Sequence, residues 1–181
     1  MNTVTLRLNE FCKLYPDVPK ATIQSIIARE DAPFAAYPED GKQRTYGSGD
    51  VLAWCLFTQL RNMGIPAQFA AGCIRDNHIV DQIFKADDPA DLFLIVDRQE
   101  KRKSDGTVRS ISVASLQDFA GVTEILTRGA VSGGSESPSG ETRLGLSGAT
   151  IVPVLPCMER CEAALDAAGF VMDGPNLYEK D

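Results

Sequence analysis

Residues 44–51 read Arg-Thr-Tyr-Gly-Ser-Gly-Asp-Val, and residues 60–66 read Leu-Arg-Asn-Met-Gly-Ile-Pro. The first segment is typical of a strand that ends in an aromatic residue and is followed by a helix N-cap at Ser48. The predicted helix runs to about Met63, because Gly64 is a typical helix stop and Pro66 a typical start of the next helix. Residues 51–57 are apolar almost throughout, so this helix is expected to be buried on more than one side.

Two short helices joined by a tight turn are predicted before this stretch. Asn9 is the expected N-cap of the first helix, which Pro16 ends. Pro19 is the expected first position of the second helix, which runs to Arg29. The apolar stripe of the second helix has the spacing i, i+3, i+4 and consists of Ile23, Ile26 and Ile27. This pattern favours a helix-turn-helix with a polar outer face.

Residues 33–46 predict a β-hairpin, since an Asp-Gly pair at positions 40 and 41 lies between two extended segments that carry aromatic residues. After a helix-turn-helix, such a hairpin is interpreted as a wing.

Side chains suited to DNA contact occur on both predicted elements. Those of the second helix are Lys20, Thr22, Gln24, Ser25 and Arg29. Those of the hairpin are Lys42, Gln43, Arg44 and Tyr46. Glutamine pairs naturally with adenine, and the cations suit phosphates. The alternatives are a solvated helix face, a Tyr46 that packs against helix residues, and an Arg61 that pairs with Asp50 or with a helix terminus.

The chain changes character after about residue 80. A polar break at residues 87–91 marks a boundary, and the expected fold beyond it is a small α+β domain with three strands and one or two helices. The segments that predict it are strands at 92–96, 108–114 and 149–154, a short helix from Ser115, and a helix at 156–168 that ends at Gly169. The glycine- and serine-rich residues 132–148 predict a flexible loop. The predicted fold class is α+β, with domains at 1–80 and at 81–131 plus 149–181.

Charge and composition exclude several classes of protein. The net charge is −7, with eight basic and eight acidic residues in 1–78 but ten and seventeen in 79–181, so a purely electrostatic DNA binder is not expected. No apolar run is long enough to span a membrane, and no signal peptide is evident, so a cytoplasmic location is expected. The five cysteines are interpreted as packing residues, and the single histidine, His78, as a surface residue. No catalytic site, metal site or cofactor is predicted.

The Arg-x-Tyr strand end, the residues Asp50 and Val51, and the Leu-Arg-x-x-Gly sequence before a new helix resemble the MerR family of winged helix-turn-helix transcription regulators. The resemblance covers about residues 5–76, with Thr22-Ile23 at the family's Thr-Ile pair in the recognition helix. The family usually follows that pair with Arg-Tyr-Tyr, where this chain has Gln24-Ser25-Ile26. The resemblance implies DNA binding and transcriptional control.

The leading hypothesis is a sequence-specific regulator, not an enzyme, that binds double-stranded DNA as a homodimer on paired half-sites. Repression is the simpler direction, because occluding a promoter needs no further activity. The second domain would supply dimerisation, a protein partner or a response to a small-molecule effector. Two alternatives are an excisionase-like architectural factor that bends DNA and a winged-helix module that binds protein.

Overall fold

A computed structural model of the protein describes residues 3–29, 31–34, 44–102, 108–129 and 142–180. Within these ranges the α-helices are α1 (Leu8–Lys13), α2 (Lys20–Ala28), α3 (Ser48–Asn62), α4 (Ala67–Arg75), α5 (Ile79–Lys85), α6 (Phe119–Gly129) and α7 (Leu155–Ala167). The strands in the same ranges are β1 (Phe93–Arg102), β2 (Val108–Gln117), β3 (Thr142–Pro153), β4 (Phe170–Asp173) and β5 (Asn176–Glu179). A single 3-10 turn, Pro89–Asp91, precedes β1. The predicted α+β class is confirmed.

Helix α3 lies at the centre of the hydrophobic core. Residues 51–57 are all buried, as their apolar run predicts. Helix α4 packs on α3 from within the first half of the chain, and α7 packs on it from the second half. One cluster of buried side chains therefore extends from Leu6 to Leu177, across the boundary expected near residue 80.

The strands form two antiparallel sheets. The larger has the order β2-β1-β3, with Phe93 opposite Gln117 in β2 and opposite Pro153 in β3. The smaller is the hairpin β4-β5, which closes at Gly174, where φ is +54°. This hairpin was not predicted from the sequence.

Residues 3–6 join the β4-β5 hairpin to the segment before α3. The amide of Val4 donates to the carbonyl of Leu177 at 2.8 Å, and Leu6 and Tyr46 exchange two backbone hydrogen bonds of 2.8 Å. The hydroxyl of Ser48 also donates to the carbonyl of Gly174 at 3.2 Å. The start of α3 is thus bonded to both ends of the described chain.

Two predicted helix caps are wrong by one or two residues. Helix α1 begins at Leu8 rather than after Asn9, because the Glu10 carboxylate accepts a hydrogen bond from the Arg7 amide at 2.6 Å and so caps the first turn. At α3 the N-cap is Gly47 instead of Ser48. The Gly47 amide donates to the Asp50 carboxylate at 2.9 Å, which leaves the serine hydroxyl for the contact with Gly174.

Two predictions in the second half also need correction. No helix begins at Ser115, because β2 continues to Gln117 and α6 begins at Phe119, where the Asp118 side chain accepts from the Gly121 amide at 2.8 Å. The segment 132–148 is not a loop throughout, since β3 begins at Thr142; its residues before Thr142 lie outside the described part of the chain. The predicted strands at 92–96, 108–114 and 149–154 are confirmed, and so is the helix that ends at Gly169.

Candidate nucleic-acid interface

Helices α1 and α2 form the two-helix unit that the sequence predicts. The chain leaves α1 through a tight turn in which the Tyr15 amide donates to Cys12 and the Val18 amide to Tyr15. Helix α2 then begins directly after Pro19, whose carbonyl accepts from the Thr22 amide at 2.8 Å. The turn and the proline together fix the direction in which α2 leaves α1.

The apolar stripe of α2 anchors it on the core. Ile23 and Ile27 are buried, and Ile26 is partly buried against the same cluster. At the start of α2, the ammonium group of Lys20 donates to the Asn9 side chain at 2.7 Å and so ties α2 to α1. The opposite face is thereby held toward solvent.

The residues proposed above as DNA contacts are spread around α2, with Lys20 and Gln24 beside the buried isoleucines, Thr22 and Ser25 farther round, and Arg29 at the C-cap. Four of the five are exposed, and Ser25 is half-buried; the exposed ones are Lys20, Thr22, Gln24 and Arg29. Several side chains on the exposed part of α2 are short, namely those of Ala21, Thr22 and Ala28. A face of this kind lets a helix backbone come close to a groove and offers hydrogen-bond donors and acceptors to base edges.

The charge near α2 differs from that of the whole chain. Residues 3–29 hold four Lys/Arg and two Asp/Glu, whereas the other residues hold fourteen and twenty-three. The four cations near α2 are Arg7, Lys13, Lys20 and Arg29, and all are exposed. The excess is confined to residues 3–29, because Glu30 and Asp31 follow directly after them.

Arg44 lies largely inside the protein, with a side chain only 11% exposed. Its guanidinium donates to the Asp50 carboxylate at 2.9 Å and lies over the Phe34 ring at 4.4 Å from the ring centre. The same carboxylate accepts from the amide of Gly47, so Arg44 is connected to the start of α3. The capping pattern Gly-x-x-Asp signals the contact between Asp50 and the Gly47 amide, but no sequence pattern signals the pair of Arg44 and Asp50.

Tyr46 is a core residue, which decides between the two alternatives weighed for it. The side chain is 1% exposed, and its ring stacks on Phe11 at 4.5 Å between centres. It also meets the Phe34 ring edge to face at 5.6 Å. The assignment of this side chain as a DNA contact is therefore corrected, because it has no surface to offer to a phosphate. The hairpin residues Lys42 and Gln43 lie outside the described residues.

Replacing Arg44 with glutamine should lower the free energy of unfolding by about 1–3 kcal/mol, because it leaves a half-buried Asp50 carboxylate without its charged donor. The matched control is Arg29→Gln, an exposed cation on α2 whose loss should change stability by less than about 0.5 kcal/mol. Urea unfolding followed by circular dichroism measures both values. Equal stability of the two variants would contradict the structural role of Arg44.

The structure also describes the positions of other basic residues and of the single histidine. Arg61 donates to the carbonyl of Ile65 at 2.8 Å, so it serves the end of α3, one of the two alternatives considered for it. Lys101 and Arg102 lie at the end of strand β1, and Lys103 lies outside the described residues. His78 is exposed, as expected for a surface residue, and its Nδ1 lies 3.5 Å from the Asp81 carboxylate.

All five cysteines are buried and free, in agreement with a packing role. Burial raises the pKa of the thiols of Cys12 and Cys157, and it raises the pKa of Cys73 to about 11 with a further contribution from the Asp76 carboxylate. The Cys161 thiol donates to Met172 Sδ at 3.9 Å, and the interaction of Cys161 with Cys55 on the facing helix raises the pKa of Cys161 and lowers the pKa of Cys55.

Among the described residues, no cluster of three or more His, Cys, Asp or Glu side chains is arranged to hold a metal ion. No helix in the described ranges has the length and apolar character needed to cross a membrane. No protein-family model matches the chain, and the curated proteins include no significant match.

Proposed function

We propose that the protein is a sequence-specific DNA-binding regulator of transcription that inserts α2 into the major groove. The observation that carries the proposal is the division of α2 into a buried stripe and an exposed remainder. Ile23 and Ile27 are buried, whereas Lys20 and Gln24 beside them, Thr22 on the far side and the C-cap residue Arg29 are exposed. A second helix of this form after a tight turn is the element with which helix-turn-helix proteins contact base edges.

The residues of α2 divide between specificity and affinity. Gln24 can form two hydrogen bonds with an adenine, and Thr22 can contact a thymine methyl group or a phosphate. Arg29 and Lys20 lie at the two ends of the helix, where they suit phosphates on either side of the groove. Because the residues around α2 have only a small positive excess, specific contacts must contribute much of the binding energy.

Arg44 and Tyr46 do not belong to the proposed contact set. Both side chains pack below the surface, and their role is to hold the segment before α3 against the aromatic core. The winged helix-turn-helix assignment thus depends on α1, α2 and α3.

The proposed regulator acts as a homodimer on paired half-sites. A single helix of nine residues contacts only a few base pairs, so two copies are the common way to reach useful specificity. Occlusion of a promoter needs only such binding, and repression is therefore the proposed direction.

Selection of bound fragments from a random DNA library, followed by sequencing, tests the proposal. A palindromic consensus is expected. Direct repeats together with strong bending would favour the excisionase-like factor, and recovery of no consensus would contradict sequence-specific binding.

Once the site is known, Gln24→Ala should weaken binding by about 1–3 kcal/mol and relax the preference at one base pair. Arg29→Ala should weaken binding to all sequences alike and reduce the salt dependence by about one released ion. The matched control is Gln68→Ala, an exposed glutamine on α4, for which no change is expected. Fluorescence anisotropy at several salt concentrations measures all three, and an equal loss in Gln24→Ala and Gln68→Ala would exclude α2 as the reading helix.

A further inference from the structure

Three of the five cysteines come together where α7 packs on α3. The thiols of Cys55 on α3 and Cys161 on α7 interact with each other, and Cys157 lies one turn before Cys161 on α7. Beside them, the Arg160 guanidinium donates to the Gln59 side chain, one turn further along α3, at 3.0 Å. Two contacts one turn apart on α3 therefore hold this side of α7 against it.

The surroundings of Cys55 favour its thiolate. The interaction with Cys161 lowers the pKa of the Cys55 thiol, and the Tyr15 hydroxyl and the positive charge of Arg160 lower this pKa further, against the opposing effect of burial. The Tyr15 oxygen lies 3.8 Å from Cys55 Sγ. The same interaction, together with burial, raises the pKa of Cys161, so Cys161 keeps its proton while Cys55 ionises. Because the thiolate is the nucleophilic form of a cysteine, Cys55 reacts before its partner.

Access to solvent alone does not distinguish Cys55 from the other thiols. Cys55 and Cys73 are each 4% exposed, and Cys12 is 8% exposed. Burial raises the pKa of Cys12, and burial together with the Asp76 carboxylate raises the pKa of Cys73 to about 11. Cys73 is thus an internal comparison, with the exposure of Cys55 but without its thiolate.

We propose that Cys55 and Cys161 are a redox-active pair that hydrogen peroxide oxidises to a disulfide between α3 and α7. The oxidant has to be small, since Cys161 is fully buried and Cys55 nearly so. Because the two thiols already meet, the bond requires no large movement of either helix.

The oxidation takes place in two steps. The Cys55 thiolate attacks one oxygen of hydrogen peroxide, the O–O bond breaks, and the other oxygen takes up a proton and leaves as water, so that Cys55 becomes a sulfenic acid. The Cys161 thiol then attacks the sulfur of this group. Its proton goes to the departing hydroxyl, which leaves as a second water, and the S–S bond forms. Two thiols are oxidised by two electrons in all, and one hydrogen peroxide is reduced to two molecules of water.

The disulfide would join positions more than a hundred residues apart in the chain. It would attach α7, from the second half of the chain, to the central helix α3. A bond that closes so long a loop strongly restricts the unfolded chain, so the Tm of the oxidised protein should lie about 5–15 °C above that of the reduced protein.

The test uses the full reduced chain, hydrogen peroxide as the oxidant and no nucleic acid, so its result is independent of DNA binding. Two of the five free thiols should be lost, and a proteolytic digest should contain a cross-linked pair of peptides with Cys55 and Cys161. Dithiothreitol should restore all five thiols and return the Tm to that of the reduced protein.

Variants of the protein locate the reacting pair. Cys161→Ala should form no disulfide and should leave Cys55 as a sulfenic acid, which dimedone traps. The matched control is Cys157→Ala, the same change one turn away on α7, which should form the disulfide at the rate of the unchanged protein. Arg160→Gln removes an exposed cation and spares the core, and it should slow the oxidation about two- to fivefold. Thermal unfolding of each reduced variant shows that the fold is kept.

Four results would overturn the proposal. They are five free thiols that persist in hydrogen peroxide as long as the protein stays folded, a disulfide that joins any other pair, a loss of the Cys12 or Cys73 thiol as fast as that of Cys55, and equal oxidation of Cys161→Ala and Cys157→Ala. Each of these results leaves the DNA-binding proposal untouched, and a chain that bound no DNA could still form the disulfide.

Discussion

Replacing Phe11 with alanine is expected to lower the free energy of unfolding by about 3–5 kcal/mol. The ring is fully buried and is stacked on Tyr46 with 4.5 Å between centres. It also meets Trp54, Phe34 and Tyr15 edge to face, at 5.4–5.9 Å. Its loss leaves a cavity among rings that come from different elements, so neighbouring groups cannot fill the space without moving several of them. Urea unfolding followed by tryptophan fluorescence measures the change.

The matched control is Phe69→Ala on α4, where the ring is 41% exposed. This substitution removes the same atoms from a site with solvent on one side, and a loss below about 1 kcal/mol is expected. If the two variants lost the same stability, the aromatic cluster would not be the centre of the core. Because a loss of about 4 kcal/mol is a large part of the total stability of a domain, Phe11→Leu is measured as well and is expected to give an intermediate value.

A chain shortened to residues 1–86 is expected to lack a cooperative fold, although these residues contain the whole predicted DNA-binding part. The shortened chain loses α7, whose buried residues Cys161 and Leu165 belong to the same hydrophobic cluster as α3. It also loses Leu177, whose carbonyl accepts from the Val4 amide. Loss of a sharp thermal transition and of near-ultraviolet circular dichroism would show the expected result.

A point substitution tests the same idea in the full chain. Leu177→Ala should lower the free energy of unfolding by about 2–5 kcal/mol, because its side chain is buried. Val171→Ala in the same hairpin is the control, since that side chain is 42% exposed. A sharp unfolding transition for residues 1–86, or equal stability of the two hairpin variants, would mean that the first part of the chain folds by itself.

Local signals in the sequence predicted the elements whose ends depend on a single residue. Pro19 marks the start of α2, and Gly64 and Gly169 follow α3 and α7 in left-handed conformations with φ of +86° and +85°. These residues act through their own backbone geometry, and such effects can be predicted without knowledge of the rest of the chain.

Features that depend on distant parts of the chain were missed. The β4-β5 hairpin is short and has a weak pattern, and it is stabilised by residues 3–4 and by Ser48, more than a hundred residues away. The burial of Arg44 depends on Phe34 and Asp50, which meet its guanidinium only in the folded state. The buried stripe of α2, by contrast, was predictable from the local spacing of its isoleucines.

The backbone hydrogen bond between Val4 and Leu177 also has a consequence for the synthesis of the protein. A ribosome adds roughly 5–20 residues per second, so the two partners, about 170 residues apart, are synthesised roughly 9–35 s apart. During this interval the side of α3 that α7 later covers remains exposed on the nascent chain. The first half of the nascent chain therefore exposes apolar surface until α7 has been synthesised. A chaperone that binds this surface would be most useful during that interval.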